Sequence, residues 1–111
     1  MIEFDDDGYP TDESLEALRR ALRFDNTSWR EVFYSALQCN HWGEDHYGPC
    51  RVDVRGTTTT AFSYHTGGWS GNEDIIYTLR TANHGLCWSA LWQRSDSGGH
   101  FYFEAIDITP E

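Results

Sequence analysis

The chain has 111 residues, which suits one domain with a modest core and leaves no length for a second. Its 18 acids against 8 basic residues give a formal net charge of −10, which argues against direct contact with DNA or RNA backbones. The absence of an apolar run near ~18 residues excludes a membrane span, and with no charged-then-apolar leader the expected location is the cytoplasm.

Residues 1–10 are acidic and end in the turn Gly8-Tyr9-Pro10. Glu3, Asp5, Asp6, Asp7, Asp12, Glu13 and Glu16 all precede the first arginine, so the segment reads either as a solvated, flexible end or as a surface for docking on a basic protein. Thr11 is the expected N-cap of a helix over 12–23, with Leu15, Leu18, Ala21 and Leu22 as its apolar stripe and Arg19, Arg20 and Arg23 near its C-terminal end. Ser28 with Glu31 reads as a capping box for a second helix over 29–38, whose apolar face is Trp29, Val32, Phe33, Ala36 and Leu37.

Residues 39–50 form a polar, glycine-punctuated loop. Cys39, His41, His46 and Cys50 are a donor set that zinc accepts, but the spacing matches no finger pattern, so no metal is expected. Three cysteines, Cys39, Cys50 and Cys87, fit reduced thiols better than a disulfide framework. All the basic residues are arginines, with forked donors for carboxylates, phosphates and base edges, though a high-GC genome produces the same bias.

Arg51 to Arg55 alternates as a strand with Val52 and Val54 inward, Gly56 leads a turn through Thr57–Thr60, and Ala61 to His65 returns as its partner. Thr66-Gly67-Gly68-Trp69-Ser70-Gly71-Asn72-Glu73-Asp74 follows. Ser70 and Glu73 read as a capping box, so a third helix is expected over 71–82, with Ile75, Ile76 and Leu79 inward and Asn83-His84-Gly85 as its stop. Leu86 to Gln93 and His100 to Ile106 read as the last strand pair, joined by a turn at Ser95–Gly99, with apolar bulk on both faces. The fold class is therefore α+β: two N-terminal helices, then hairpin, helix and hairpin, the four strands forming one antiparallel sheet packed by helices.

No nucleophile–base–orienter set is legible, so no catalytic residue is assigned and binding is favoured over turnover. The aromatic and amide density points to a site for a planar small molecule, with core packing as the alternative use of each ring. In that site Trp69, Trp88 and Trp92 are stacking walls and Gly67, Gly68 and Gly71 let backbone donors approach. Asn72 and Glu73 hold hydroxyls or base edges, and Arg94 and His100 meet a phosphate.

Tyr9-Pro10-Thr11-Asp12-Glu13-Ser14-Leu15, the stretch Thr66 to Ile76, Trp92, and Gly98-Gly99-His100-Phe101-Tyr102-Phe103-Glu104 together resemble a family of small tailed-bacteriophage proteins. That family brings no established activity. The resemblance implies a protein working in the host-cell cytoplasm, in the manner of counter-defence factors. The expected function is sequestration of a nucleotide-like immune signal, without a cofactor and with a homodimer closing an aromatic groove. The rival reading is an acidic inhibitor, an anti-CRISPR factor or nucleic-acid mimic, that binds a host defence complex. A third is a phosphodiesterase-like enzyme with His65 or His100 as acid–base group.

Overall fold

The structure, a computed structural model, describes residues 2–39, 47–54 and 56–104. Its elements are α1 (Asp12–Ala21), α2 (Trp29–Leu37), β1 (Tyr47–Val54), β2 (Thr57–His65), α3 (Ser70–Thr81), α4 (Leu86–Leu91), β3 (Trp92–Asp96) and β4 (His100–Glu104). The four strands form one antiparallel sheet in the order β1-β2-β4-β3, so the chain leaves β2 through α3 and α4 and its last strand inserts beside β2. The fold is α+β, as its alternating and helical periodicities predict.

Thr11 caps α1 as expected, its hydroxyl accepting from the Ser14 amide at 3.2 Å. The other two capping boxes do not form. Ser28 makes no side-chain cap, because the preceding turn is closed by Asn26, whose side chain accepts from the Ser28 amide and whose carbonyl accepts from Trp29. At α3, Trp69 is the N-cap residue, the Ser70 hydroxyl donates to Tyr9 Oη, and Glu73 accepts from Thr66 Oγ1. Both serines face competing partners that a four-residue motif does not contain.

Three further expectations are corrected. The strand expected from Arg51 begins at Tyr47, so residues 47–50 are strand paired with β2 and not loop. Thr57–Thr60 belong to β2, paired with Val54–Arg51, and the tight turn is confined to the region of Gly56, whose φ is +81°. Leu86–Leu91 is helix rather than strand, and β3 starts only at Trp92. A short apolar run fits either period, and here Cys87, Trp88 and Leu91 bury one helical face. Asn83, His84 and Gly85 precede it with φ of 53°, 56° and 78°, three left-handed residues in succession that redirect the chain after α3. For a histidine this conformation costs on the order of 1–3 kcal/mol. It is held by packing, since the Cys87 thiol donates to Leu22 O while Asn83 Nδ2 reaches Cys87 Sγ. Burial pushes the Cys87 thiol up from its ordinary range, so it stays neutral.

The core lies between the sheet and α1–α4. Phe103 is its centre, fully buried and edge-on to Phe33 at 5.3 Å and to Trp88 at 5.1 Å, while Tyr34 meets Phe62 at 5.6 Å. The buried Tyr34 hydroxyl has no hydrogen-bond partner among the described residues. Burial, and then the Glu104 charge, push its ionisation well above the usual phenol range. On the other face the sheet curls, so that Arg94 Nη1 of β3 reaches the Asp53 carbonyl of β1 at 3.3 Å, and Thr59 of β2 meets Gln93 at 3.4 Å. Val52 and Ala61 are buried within that curl. Val54 has no described side chain, and Ala105 and Ile106 of the expected last strand lie outside the described residues.

α1 and α3 pack side by side and point the same way. The Glu3 amide donates to Ser14 Oγ at the start of α1, residues 8 and 9 touch the start of α3, and Arg19 Nη1 donates to Thr81 Oγ1 where both end. Each helix follows the dipole preference, with Asp12 and Glu13 or Glu73 in the first turn and Arg19 and Arg20 or Arg80 in the last. Parallel packing adds the two patterns together and makes one end of the helical layer acidic and the other basic.

Candidate functional site

Thr66, fully buried where β2 leaves the sheet, joins the two glycine motifs. Its amide donates to Gly99 O at 3.1 Å, its carbonyl accepts from the buried Asn72 Nδ2 at 2.9 Å, and its hydroxyl accepts from the Gly68 amide and donates to Glu73 Oε2. Alongside, His65 and His100 stack with ring centroids 3.8 Å apart and 11° between planes. His65 Nε2 lies 2.8 Å from the Gly98 carbonyl, a contact that requires the proton on that nitrogen. Gly67, Gly68, Asn72, Glu73 and His100 are thus brought together, with Gly67 and Gly68 exposed at φ of 70° and 74°.

Arg94 belongs to the neighbouring network on the same sheet. It pairs with Asp96 and lies over the Tyr102 ring at 5.5 Å, and Asp96 stands opposite His100 in the β3–β4 register. The hydrogen bond between Arg94 and Asp96 holds the carboxyl below the usual carboxylate range and the guanidinium above its own. This arginine already has a counter-ion.

The three tryptophans do not share a cleft. Trp88 is 8% exposed, in the core against Phe33, Phe101 and Phe103. Trp92 is 41% exposed on the edge strand, its indole N–H donating to Ser95 Oγ at 2.8 Å. Trp69 is half-buried and binds the chain itself. Its Nε1–H donates to Gly8 O at 3.1 Å, Tyr9 packs on the ring with centroids 4.8 Å apart, and a Cβ on Gly71 would stand 2.6 Å from Nε1. Gly71 is therefore needed for the indole to lie against α3, rather than for a guest to approach.

What the indole clamps is the acidic segment. Asp5 Oδ1 accepts from the Asp7 and Tyr9 amides at 2.9 and 3.0 Å, the Asp5 amide donates to Tyr9 O at 2.8 Å, and Phe4 and Pro10 form an isolated bridge. Ile2, Gly8 and Pro10 are buried, leaving Asp6 and Asp7 exposed at the tip. Asp12 and Glu13 at the start of α1 and Glu73 and Asp74 at the start of α3 flank that tip through the contacts to Ser14, Trp69 and Ser70. The acids were legible in the sequence. Their being held in one ordered edge was not, because the clamp joins residues 61 positions apart.

No protein-family model, curated protein or solved structure matches the chain. No helix among the described residues is long and apolar enough to cross a membrane. Of the four soft donors expected in one loop, Cys50 stands in β1 opposite Ala61, His41 and His46 lie outside the described residues, and the Cys39 thiol donates to Ser35 O at 3.4 Å. Among the described residues no group of three metal-binding side chains converges.

Two concave regions lie away from Trp69. An apolar groove of about 460 Å³ runs between α1 and α2, lined by Ile2, Ala17, Leu18, Ala21, Val32 and Ala36 together with Ser14, Glu31 and Ser35. A depression of about 440 Å³ sits at the C-terminal end of α3.

Trp69→Phe tests the clamp. It keeps a smaller aromatic ring against Tyr9 and removes the N–H that Gly8 O accepts, so stability is expected to fall by about 1–2 kcal/mol in urea unfolding. Amide exchange over residues 5–9 is expected to accelerate while that of α2 is unchanged.

Proposed function

We propose that this chain is a protein-binding inhibitor that presents its ordered acidic edge to a basic partner surface, in the manner of a nucleic-acid mimic. The setting that the bacteriophage resemblance implies is a host defence complex whose basic groove normally holds DNA or RNA. The observation that carries the reading is the clamp of Trp69 and Tyr9 on residues 5–9. A solvated tail would lose chain entropy on docking, whereas a loop already fixed by six hydrogen bonds within and around it, among the described residues, has little left to lose. Asp6, Asp7, Asp12, Glu13, Glu73 and Asp74 then act as preplaced carboxylates, and the net charge of −10 speeds encounter with a basic target. The same clamp weakens the small-ligand reading centred on Trp69, since the indole face and N–H that a planar guest would use are taken by Tyr9 and Gly8.

Immobilised protein is incubated with lysate of the bacterial host, and the bound proteins are challenged with double-stranded DNA, RNA and salt. A basic partner is expected to elute with nucleic acid and above moderate ionic strength, where exposed charges are screened. The triple variant Asp6→Asn, Asp7→Asn, Glu13→Gln alters exposed side chains only and is expected to lose about tenfold or more in affinity with its melting temperature unchanged. Capture that survives the neutralisation, or that nucleic acid does not displace, would refute the proposal.

A further inference from the structure

The opposite end of the helical layer carries a second surface of contrary sign. Tyr77, Arg80, Thr81, His84 and Gly85 line the depression of about 440 Å³ where α3 ends. Arg19 borders it, its guanidinium 3.0 Å from the Thr81 hydroxyl, and the Thr81 hydroxyl itself donates to Tyr77 O. Arg80 lies over the Trp88 ring at 5.8 Å, which positions its charge without neutralising it. Arg20, Arg23, Arg30 and Arg94 each have a carboxylate within 4 Å, but among the described residues Arg19, Arg51 and Arg80 have none, and of these three Arg51 stands apart on β1. In a chain with more than twice as many acids as arginines, two unpaired guanidinium groups beside one depression are a concentration of uncompensated positive charge.

The remaining features of this place point to a ligand with a flat part. Tyr77 is 64% exposed, the most exposed of the large hydrophobic side chains among the described residues, and it lines the depression. His84 lines the depression from the left-handed turn at residues 83–85, a region that asparagine and histidine enter more readily than most residues. The depression is open to solvent, so a ligand would be held there by charge and stacking rather than by enclosure. The negative ends of the α1 and α3 dipoles lie nearby and account for the arginines being there, but two half-charges are outweighed by two full ones.

We propose that this depression is an anion site for a nucleoside monophosphate, with the phosphate between Arg80, Arg19 and His84 and the base against the Tyr77 ring. Forked guanidinium donors suit phosphate oxygens, and an exposed tyrosine provides a sequence-tolerant stacking face. The site is independent of the acidic edge and lies at the other end of α1 and α3, so either stands if the other fails.

The test is an NMR titration of the full chain with AMP, adenosine and inorganic phosphate, backed by calorimetry. AMP is expected to give saturable shifts at the amides of Tyr77, Arg80, His84 and Gly85, with adenosine and inorganic phosphate each at least about tenfold weaker. Arg80→Gln should weaken AMP by about tenfold or more. Tyr77→Ala, a change at an exposed ring, should weaken AMP and leave phosphate unaffected. Asp6→Asn with Asp7→Asn should not weaken it. The proposal is overturned by the lack of saturable shifts at millimolar AMP, by shifts centred on residues 66–71, by phosphate binding as tightly as AMP, or by indifference to Arg80→Gln in a variant whose spectrum shows it folded.

Discussion

Gly99→Ala is expected to destabilise the protein by about 3 kcal/mol, read as a lower urea midpoint with an unchanged slope. Two costs add. Gly99 has φ +83°, a region that costs an alanine about 1–2 kcal/mol. The new Cβ would also overlap Thr66 Oγ1, and Thr66 is fully buried and tied to Glu73 and Gly68, so it does not swing aside without losing those bonds. Overpacking of that kind costs about 1–3 kcal/mol, and the stiffer unfolded chain returns about 0.5 kcal/mol. The two contributions separate in a double-mutant cycle with Thr66→Ala, which removes the oxygen. The single changes are expected to overshoot the double by about 1–2 kcal/mol. Strict additivity would show that the hairpin turn and the Thr66 loop do not touch in solution, and the meeting of the two glycine motifs would lose its basis.

Phe103→Ala should cost still more, about 3–5 kcal/mol. The ring is fully buried at the contact of sheet and helices, edge-on to Phe33 and Trp88, and it pairs with Phe62 across β2–β4 and with Trp92 across β3–β4. Truncation leaves a cavity bounded by three elements, and these collapse poorly because β4 is held on both sides. Phe24→Ala is the control. Phe24 is 52% exposed and packs on Trp29 at 5.3 Å, so its loss is expected to stay below about 1 kcal/mol. Similar losses for the two would place the core elsewhere than between the sheet and α2.

The two charged ends follow from an elementary preference applied twice. Acids favour the start of a helix and arginines its end, and α1 and α3 both obey. Had they packed antiparallel, acidic and basic turns would have alternated and each end would have been mixed. The contacts of Ser14 and Ser70 with the N-terminal segment and of Arg19 with Thr81 make them parallel. The −10 of the whole chain therefore hides a basic end.

The sequence by itself determined what short-range physics controls. The 3.6-residue stripes of α1, α2 and α3, the Thr11 cap, the strand alternation of Phe101 and Phe103, and the stop at Asn83-His84-Gly85 all depend on neighbours within one or two turns. Leu86–Leu91 escaped that reading because six residues carry too little periodicity to separate helix from strand, and the left-handed turn before it took the decision. Only the tertiary structure decided where the polar partners went. Ser70 turned to Tyr9, Glu73 to Thr66 and the Trp69 indole to Gly8, each over a distance in sequence that no local pattern encodes. A residue's type settles which bonds it is able to make, but the competition among its available partners is resolved only when distant segments are brought together.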